Sequence, residues 1–477
     1  MAALATTSRS KPRRRSELGL LLVGLIVVTF DYVLTTLGVY NRLPARLVVF
    51  VAILLGMAVI TNLINRWLVP DADPVLLPVV LVLNGLGFVM IMRLAPYEDV
   101  AHLAGLQAVW TTIGLVAYAI TLIIVRRSRD LERYRYLMLL AAIMLLVMPL
   151  VPHLGDAAEN VGGVKLWVKI GPASFQPVEA SKILLVIFFA SYFVEKRELL
   201  SMATHRVGRY MLPDLRPFGP IAFAWVCSIA VILLEKDIGF SLLLFILFLA
   251  MLWVTTGRWT YLVIGIVAFV VGTYFASRVL VLVGQRIDVW LDPWKYLSCN
   301  PNCIGYQPVV GELGLAQGGI AGTGPGLGVP QAIPVAQSDF IFAAFGEELG
   351  LIGAAALIAG FVLIVGSGLR ASLRARSEFS KLVALGLTVT VGFQAFLIMA
   401  GVTRLLPLTG VTLPFVSYGG SSLVANYVLM ALIMRISSEA AEPVARVRSI
   451  VPGMRTHLRA TKPSRSERSA RAGATLQ

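Results

Sequence analysis

Long apolar runs separated by short charged segments set the pattern of this chain. About twelve of them approach the ~20 residues that a helix needs to cross a bilayer. They fall at 19–39, 45–64, 74–94, 103–125, 134–151, 177–194, 217–234, 238–256, 260–283, 340–366, 381–402 and 418–436. The pattern predicts an all-α, polytopic membrane protein of about 12 transmembrane helices. The stretch before the first run, "SRSKPRRRSEL", is basic and offers no small-residue cleavage site. The first run therefore reads as a retained anchor rather than a removed signal peptide.

Composition agrees. Of 477 residues, 57% are hydrophobic and 14% charged, against about 25% charged in soluble domains. Such a chain lacks the polar surface to cover itself in water, so lipid is its expected solvent. The net charge of +15 would suggest nucleic acid in a soluble protein. Here the basic residues cluster between apolar runs, which is how membrane proteins are oriented, and no nucleic-acid partner is expected. The segments 125–136, 195–217, 256–259, 368–381 and the tail beyond Arg435 carry arginine or lysine, most of it clustered. The alternate segments 40–46, 93–102 and 152–176 are poorer. The asymmetry predicts both termini in the cytoplasm and a multi-pass plasma-membrane protein.

This topology puts 152–176, 284–339 and 403–417 outside. The loop 284–339 is the longest and includes "GGIAGTGPGLGVP". A loop of that length is usually functional or disordered. The glycine stretch is no nucleotide fingerprint, because no strand–helix context surrounds it. The domain reading is a basic cytoplasmic N-terminus at 1–18, membrane helices at 19–125, a membrane core at 126–437 and a basic, disordered cytoplasmic tail at 438–477. Cys227 lies in a membrane run and reads as a small apolar packer. Cys299 and Cys303, in "SCNPNC", suit a disulfide-bridged turn in an oxidising compartment; no histidine stands nearby in the loop to favour a metal pair.

Ionisable residues at membrane depth are costly and point to function or to internal pairing. Glu179 and Lys182, three apart in "FQPVEASK", share a helix face and can pair. Glu235, Lys236 and Asp237 separate two runs, Glu347 and Glu348 lie inside another, and Asp31 stands in the first run without an obvious partner. Asp339, in "PVAQSDFIFAAFGEELG", stands at the end of the long outer loop, one residue before an apolar run.

Three segments, "KLWVKIGPASFQPVEASKILLVIFFASYF", "QSDFIFAAFGEELGLIG" and "LLPLTGVTLPFVSYGGSSL", resemble the signature segments of the SEDS family, the RodA and FtsW peptidoglycan glycosyltransferases. The resemblance covers roughly 130–437 in the family's order. With two helices beyond the family's usual ten, the chain resembles actinobacterial RodA proteins most, with the division-type FtsW paralogue as the alternative.

The resemblance implies polymerisation of lipid II, an undecaprenyl-pyrophosphate-linked disaccharide peptide, into β1,4-linked glycan outside the membrane during cell elongation. Asp339 matches the family's catalytic aspartate. The acceptor, a GlcNAc 4-hydroxyl, is a weak nucleophile, and a positioned base supplies roughly 10²–10⁴-fold. The pyrophosphate already leaves well, so one carboxylate suffices where glycosidases need two. Cations must meet the leaving group. Arg286, Lys165, Lys169 and Arg404 are the outer candidates, and Arg286 best matches a basic position of the family loop. Trp167 matches a family tryptophan that could stack on a sugar or anchor at the interface, and Glu179 and Lys182 match family positions. Thr409 stands where some family members carry lysine, so cation duty shifts elsewhere or to a divalent metal; no other cofactor is implied. Ser417, Ser421 and Ser422 in "VSYGGSS" bring hydroxyls and close helix approach. The implied partner is a class B penicillin-binding protein transpeptidase, since this chain has no soluble crosslinking domain. A lipid II flippase and a non-catalytic scaffold of the cell-wall machinery are the rival classes, although no repeated halves of the kind common in transporters are found.

Overall fold

The structure, a computed structural model, describes residues 12–95, 102–151, 155–156, 167–170, 173–201, 205–207, 210–212, 226, 230, 238–297 and 304–441. Among them, eleven helices are long and apolar enough to cross a membrane. They match the predicted runs except 217–234, which lies outside the described residues. The helices are α1 (Pro12–Tyr40), α2 (Leu47–Leu68), α3 (Leu76–Leu94), α4 (Leu103–Ile124), α5 (Arg135–Val147), α6 (Pro177–Glu195) and the short α7 (Arg197–Ser201). There follow α8 (Ile238–Thr256), α9 (Trp259–Val279), α10 (Val281–Leu291), α11 (Tyr306–Gly318), α12 (Ile341–Arg374), α13 (Glu378–Val402) and α14 (Gly420–Ala441). The fifth span is α5 flanked by 3-10 turns, together Ser128–Leu150.

Lipid replaces water as the outer solvent, so the apolar pattern does not alternate by exposure. Val48 and Trp67 of α2 are 82% and 85% exposed, while α6, α13 and α14 are buried along most of their length. Buried side chains of α3, α6, α8, α12, α13 and α14 form one core, with Phe189 edge-on to Phe248 at 5.6 Å. Small residues set the closest crossings. A carbon added at Gly24 of α1 would lie 2.5 Å from Val82, and one added at Gly85 of α3 would lie 2.8 Å from Val28. At the end predicted to face the cytoplasm, Asn65 donates to Glu17 at 3.1 Å and Tyr118 donates to Asn65, tying α1, α2 and α4 together. Arg435 of α14 donates to carbonyls in the last turns of α2 and α4, Leu68 O and Leu122 O.

The fold departs from the sequence reading in three places. Two small antiparallel sheets interrupt the all-α pattern: β1 (Gly155–Asp156), β2 (Trp167–Ile170) and β3 (Ala173–Phe175), then β4 (His205–Val207) and β5 (Tyr210–Leu212). These strands are too short for periodicity to reveal. The helix predicted over 260–283 breaks at Leu280, which is extended (φ −101°, ψ 108°), so Arg286 rides on α10 rather than in an irregular loop. The run predicted over 340–366 continues to Arg374, and Gly350 (φ 64°) interrupts its helical path.

Candidate functional site

Asp339 lies part-buried in the turn that enters α12, at the end of the long loop 284–339. Its neighbour Phe340 is buried, and the Phe340 ring fills the space a side chain would take at Gly311 of α11. Burial pushes the Asp339 carboxyl up from 3.8 to about 6; a hydrogen bond from the Ser338 side chain and the Arg286 charge oppose the rise. Arg286 reaches across from α10. Its Nη1 donates to Leu408 O at 3.3 Å and Thr409 O at 3.2 Å. Gly410 (φ 73°) stands next in that segment. A carbon added there would sit 3.8 Å from Asp339 Oδ2 and 4.0 Å from Arg286 Nη2. Carboxyl and guanidinium therefore flank one bare backbone carbon, and the glycine leaves the space between them open.

The segment 403–419 is held to the aspartate turn by hydrogen bonds on both of its partners. Ser417 Oγ accepts from Leu413 N at 2.9 Å and donates to Ser338 O at 2.6 Å, one residue from Asp339. Tyr418 N donates to Gln337 O at 2.8 Å. Asn84 of α3 donates to Phe415 O at 3.2 Å. Val335, Arg404 and Phe415 all take positive φ (56°, 55° and 67°). Side chains pay for that conformation, and three of the four such non-glycine residues described lie in these two segments. The surrounding bonds hold the strained backbone in place.

Arg404 is occupied otherwise. Its Nε lies 3.1 Å from Glu312 of α11, its Nη2 donates to Trp290 O and Leu291 O, and Trp290 Nε1 donates to Arg404 O at 2.9 Å. It joins α10, α11 and the 403–419 segment, with its charge matched by Glu312. Glu179 and Lys182 pair as their spacing predicts, Nζ to Oε2 at 2.5 Å, both buried in α6. Lys182 also donates to Gln394 of α13 at 2.8 Å, and Gln394 donates to Thr412 O at 3.0 Å. The ion pair thus reaches the 403–419 segment through one amide. Trp167 and Lys169 lie on β2, where Lys169 is opposite Ser174 of β3. That hairpin leads into Gln176, whose N–H donates to Ser421 Oγ at 3.0 Å at the start of α14. Lys165, Cys227, Glu235, Lys236, Asp237, Cys299 and Cys303 lie outside the described residues. Among the described residues, no group of three or more His, Cys, Asp or Glu is arranged to hold a metal.

Glu347 and Glu348 find partners that the sequence did not indicate. Glu348 Oε1 pairs with Arg93 of α3 at 3.0 Å, both buried, and Arg93 Nη2 donates to Gly328 O at 3.0 Å. Gly326 N donates to Glu348 Oε2 at 2.9 Å and Val329 N to Glu347 Oε1 at 2.6 Å. The α12 backbone helps: Thr323 N and Gly324 N donate to Glu347 O and Glu348 O, carbonyls at the Gly350 break. The glycine-rich part of the long loop 284–339 is thus an ordered arm pinned to the first turns of α12. Asp31 of α1 is within Coulombic reach of Glu348.

A carboxyl raised toward neutrality, a guanidinium beside it and an open space between them can take a proton from a hydroxyl while meeting a developing anion. Sequence reasoning named Asp339, Arg286 and Ser417 but not Ser338, Gln394, Gly410 or Arg93. The last ended an apolar run and carried the signal of a charge at membrane depth.

A family model described as cell cycle protein FtsW/RodA/SpoVE matches residues 74–442. Over 449 residues the chain is 41% identical to the peptidoglycan glycosyltransferase RodA of Mycobacterium tuberculosis, covering 93% of this chain and 94% of the relative. A probable peptidoglycan glycosyltransferase FtsW of Geobacter metallireducens is 29% identical, covering 77% of this chain and 94% of its own. Among solved structures, a chain from work on the structural coordination of polymerization and crosslinking by a peptidoglycan synthase complex aligns with TM-score 0.62 and 24% identity. It covers 78% of this chain and 99% of that one. The rod shape determining protein RodA of Thermus thermophilus aligns with TM-score 0.54 and 22% identity, covering 78% and 98%.

Proposed function

Because the chain belongs to the FtsW/RodA/SpoVE family, we propose that this multi-pass membrane enzyme, a peptidoglycan glycosyltransferase, polymerises lipid II with Asp339 as the general base. The carrying observation is the Asp339 carboxyl, raised to about 6 and facing Arg286 across Gly410. The carboxylate takes the proton of the acceptor GlcNAc 4-hydroxyl as its oxygen attacks C1 of the donor. The bond from C1 to the undecaprenyl pyrophosphate breaks, and its electron pair leaves with the pyrophosphate. Direct displacement turns the α-linked donor into a β1,4 product. Arg286 meets the departing charge, and a divalent cation arriving with the pyrophosphate would share that task. Trp167 and Lys169 supply a sugar-stacking face and a second cation from β2, while Arg404, Glu179, Lys182 and Ser417 keep the segments that receive the substrate in register. The active site faces outside, both termini face the cytoplasm, and a class B penicillin-binding protein crosslinks the product. Greater likeness to the RodA relatives than to the FtsW ones favours cell elongation over division.

The test supplies lipid II in detergent, where no leaflet exists, to purified chain with its transpeptidase partner. Glycan strands should form, vanish with Asp339→Ala and persist with a transpeptidase active-site mutant. No strands there, combined with protein-dependent translocation of lipid II in vesicles, would replace the polymerase by the flippase.

A further inference from the structure

Helices α1 and α2 precede the residues that the family model matches, 74–442. Their composition asks nothing more of them than membrane anchoring. Their contacts do more. Gly38, in the last turns of α1, meets the glycine-rich arm backbone to backbone: a carbon added at Gly38 would lie 2.2 Å from Pro325 O and 3.1 Å from Gly326 Cα. Gly326 (φ 77°) returns the contact, because a carbon added there would lie 2.3 Å from Thr35 O and 3.0 Å from Val39 N. Two glycines let two main chains touch where no side chain fits.

The contact continues inward. Gly326 N is the donor to Glu348, Val329 N is the donor to Glu347, and Arg93 closes the group on Glu348 and Gly328 O. Both glutamates belong to the first turns of α12, and Asp339 enters that helix. At its far end α1 is fixed as well, through Glu17, Asn65 and Tyr118, and along its length by Gly24 and Gly85. A helix fastened at both ends and touching the arm by backbone acts as a strut.

We propose that α1 is a positioning element of the reaction site: through Gly38 it holds the glycine-rich arm, and the arm holds the start of α12 that places Asp339. The proposal rests on the glycosyltransferase reading above. The full chain is tested as Gly38→Val, with Gly19→Val on α1 and Gly56→Val on α2 as controls, since nothing lies within 4 Å of a carbon added at either control position. Rates of lipid II polymerisation in detergent are measured beside hydrogen exchange of the arm amides. In Gly38→Val, kcat should fall roughly 10–10²-fold, the scale of an ångström-level misplacement, with KM little changed. Exchange at Gly326 and Val329 should rise, and both controls should stay within about twofold of wild type. Gly38→Ala should give a smaller loss in the same direction, and it decides the matter if the valine variant does not fold. Wild-type kcat in a folded Gly38 variant, or a loss equal to that of the controls, overturns the role of α1. Glycan absent from the wild type itself overturns the functional reading instead.

Discussion

The rate of polymerisation should follow the ionisation of Asp339. Its carboxyl sits at about 6 against an ordinary 3.8, and burial is the main cause. A base works ionised, so activity rises with pH. At pH 5 about a tenth of the carboxyls are ionised and at pH 7 about nine tenths, which predicts a roughly tenfold rise with its midpoint near 6. Asp339→Asn keeps the size and removes the base, and it should cost roughly 10²–10⁴-fold at pH 7 with no dependence left between pH 5 and 8. The same shift bears on stability. A carboxyl raised in the folded state stabilises the fold at low pH, and that contribution is lost as pH rises from about 4 through about 6. The loss is at most about 3 kcal/mol, reduced by the side chain's remaining contact with solvent. Asp339→Asn should therefore melt a few degrees higher than wild type at pH 7.5 and at the same temperature near pH 4. The assay is glycan strand formation from lipid II by purified protein in detergent, buffered from pH 5 to 8, beside thermal melts of the same samples. A flat wild-type profile with intact fold, or wild-type rates from Asp339→Asn, would refute the base.

Other outcomes follow from the same geometry. Arg286→Gln should lower the polymerisation rate and move the midpoint of the pH profile upward, because the Arg286 charge now holds the Asp339 carboxyl down; an unmoved midpoint would separate the two residues. Glu348→Ala removes the carboxylate that buried Arg93 pairs with at 3.0 Å and should cost up to about 3–5 kcal/mol, read as a drop in melting temperature in detergent. A melt equal to wild type would mean that water reaches the pair. In a background with Cys227, Cys299 and Cys303 replaced, a cysteine at Ile320 (72% exposed) should react with an impermeant thiol reagent on intact cells, and one at Leu373 (77% exposed) should not; the reverse pattern would invert the topology. Non-reduced digests should contain a Cys299–Cys303 cross-linked peptide by mass spectrometry, and free thiols at both positions would remove the bridge.

The helices were legible in the sequence because a bilayer imposes one length on every span. The Glu179–Lys182 pair was legible because three residues on a helix is a local distance. Arg93 and Glu348 were not, since 255 positions separate them and nothing in either neighbourhood names the other. The glycine-rich stretch read as a loop because its order comes from carbonyls freed near Gly350 and from two distant carboxylates, neither of which local propensity records. Asp339 was singled out through its resemblance to a motif. That Ser417 holds the carbonyl of Ser338, one residue before it, is visible only when segments 79 positions apart are brought together.

The bond from Tyr418 N to Gln337 O has a pharmacological consequence. It joins main chain to main chain two residues from Asp339, so no side-chain replacement deletes it except proline at 418. A molecule wedged between these two strands of backbone would displace the carboxylate without touching it. It would need no resemblance to a sugar or a diphosphate. A bacterium seeking resistance would have few substitutions to try, because the groups the molecule displaced would be ones that every amino acid but one supplies.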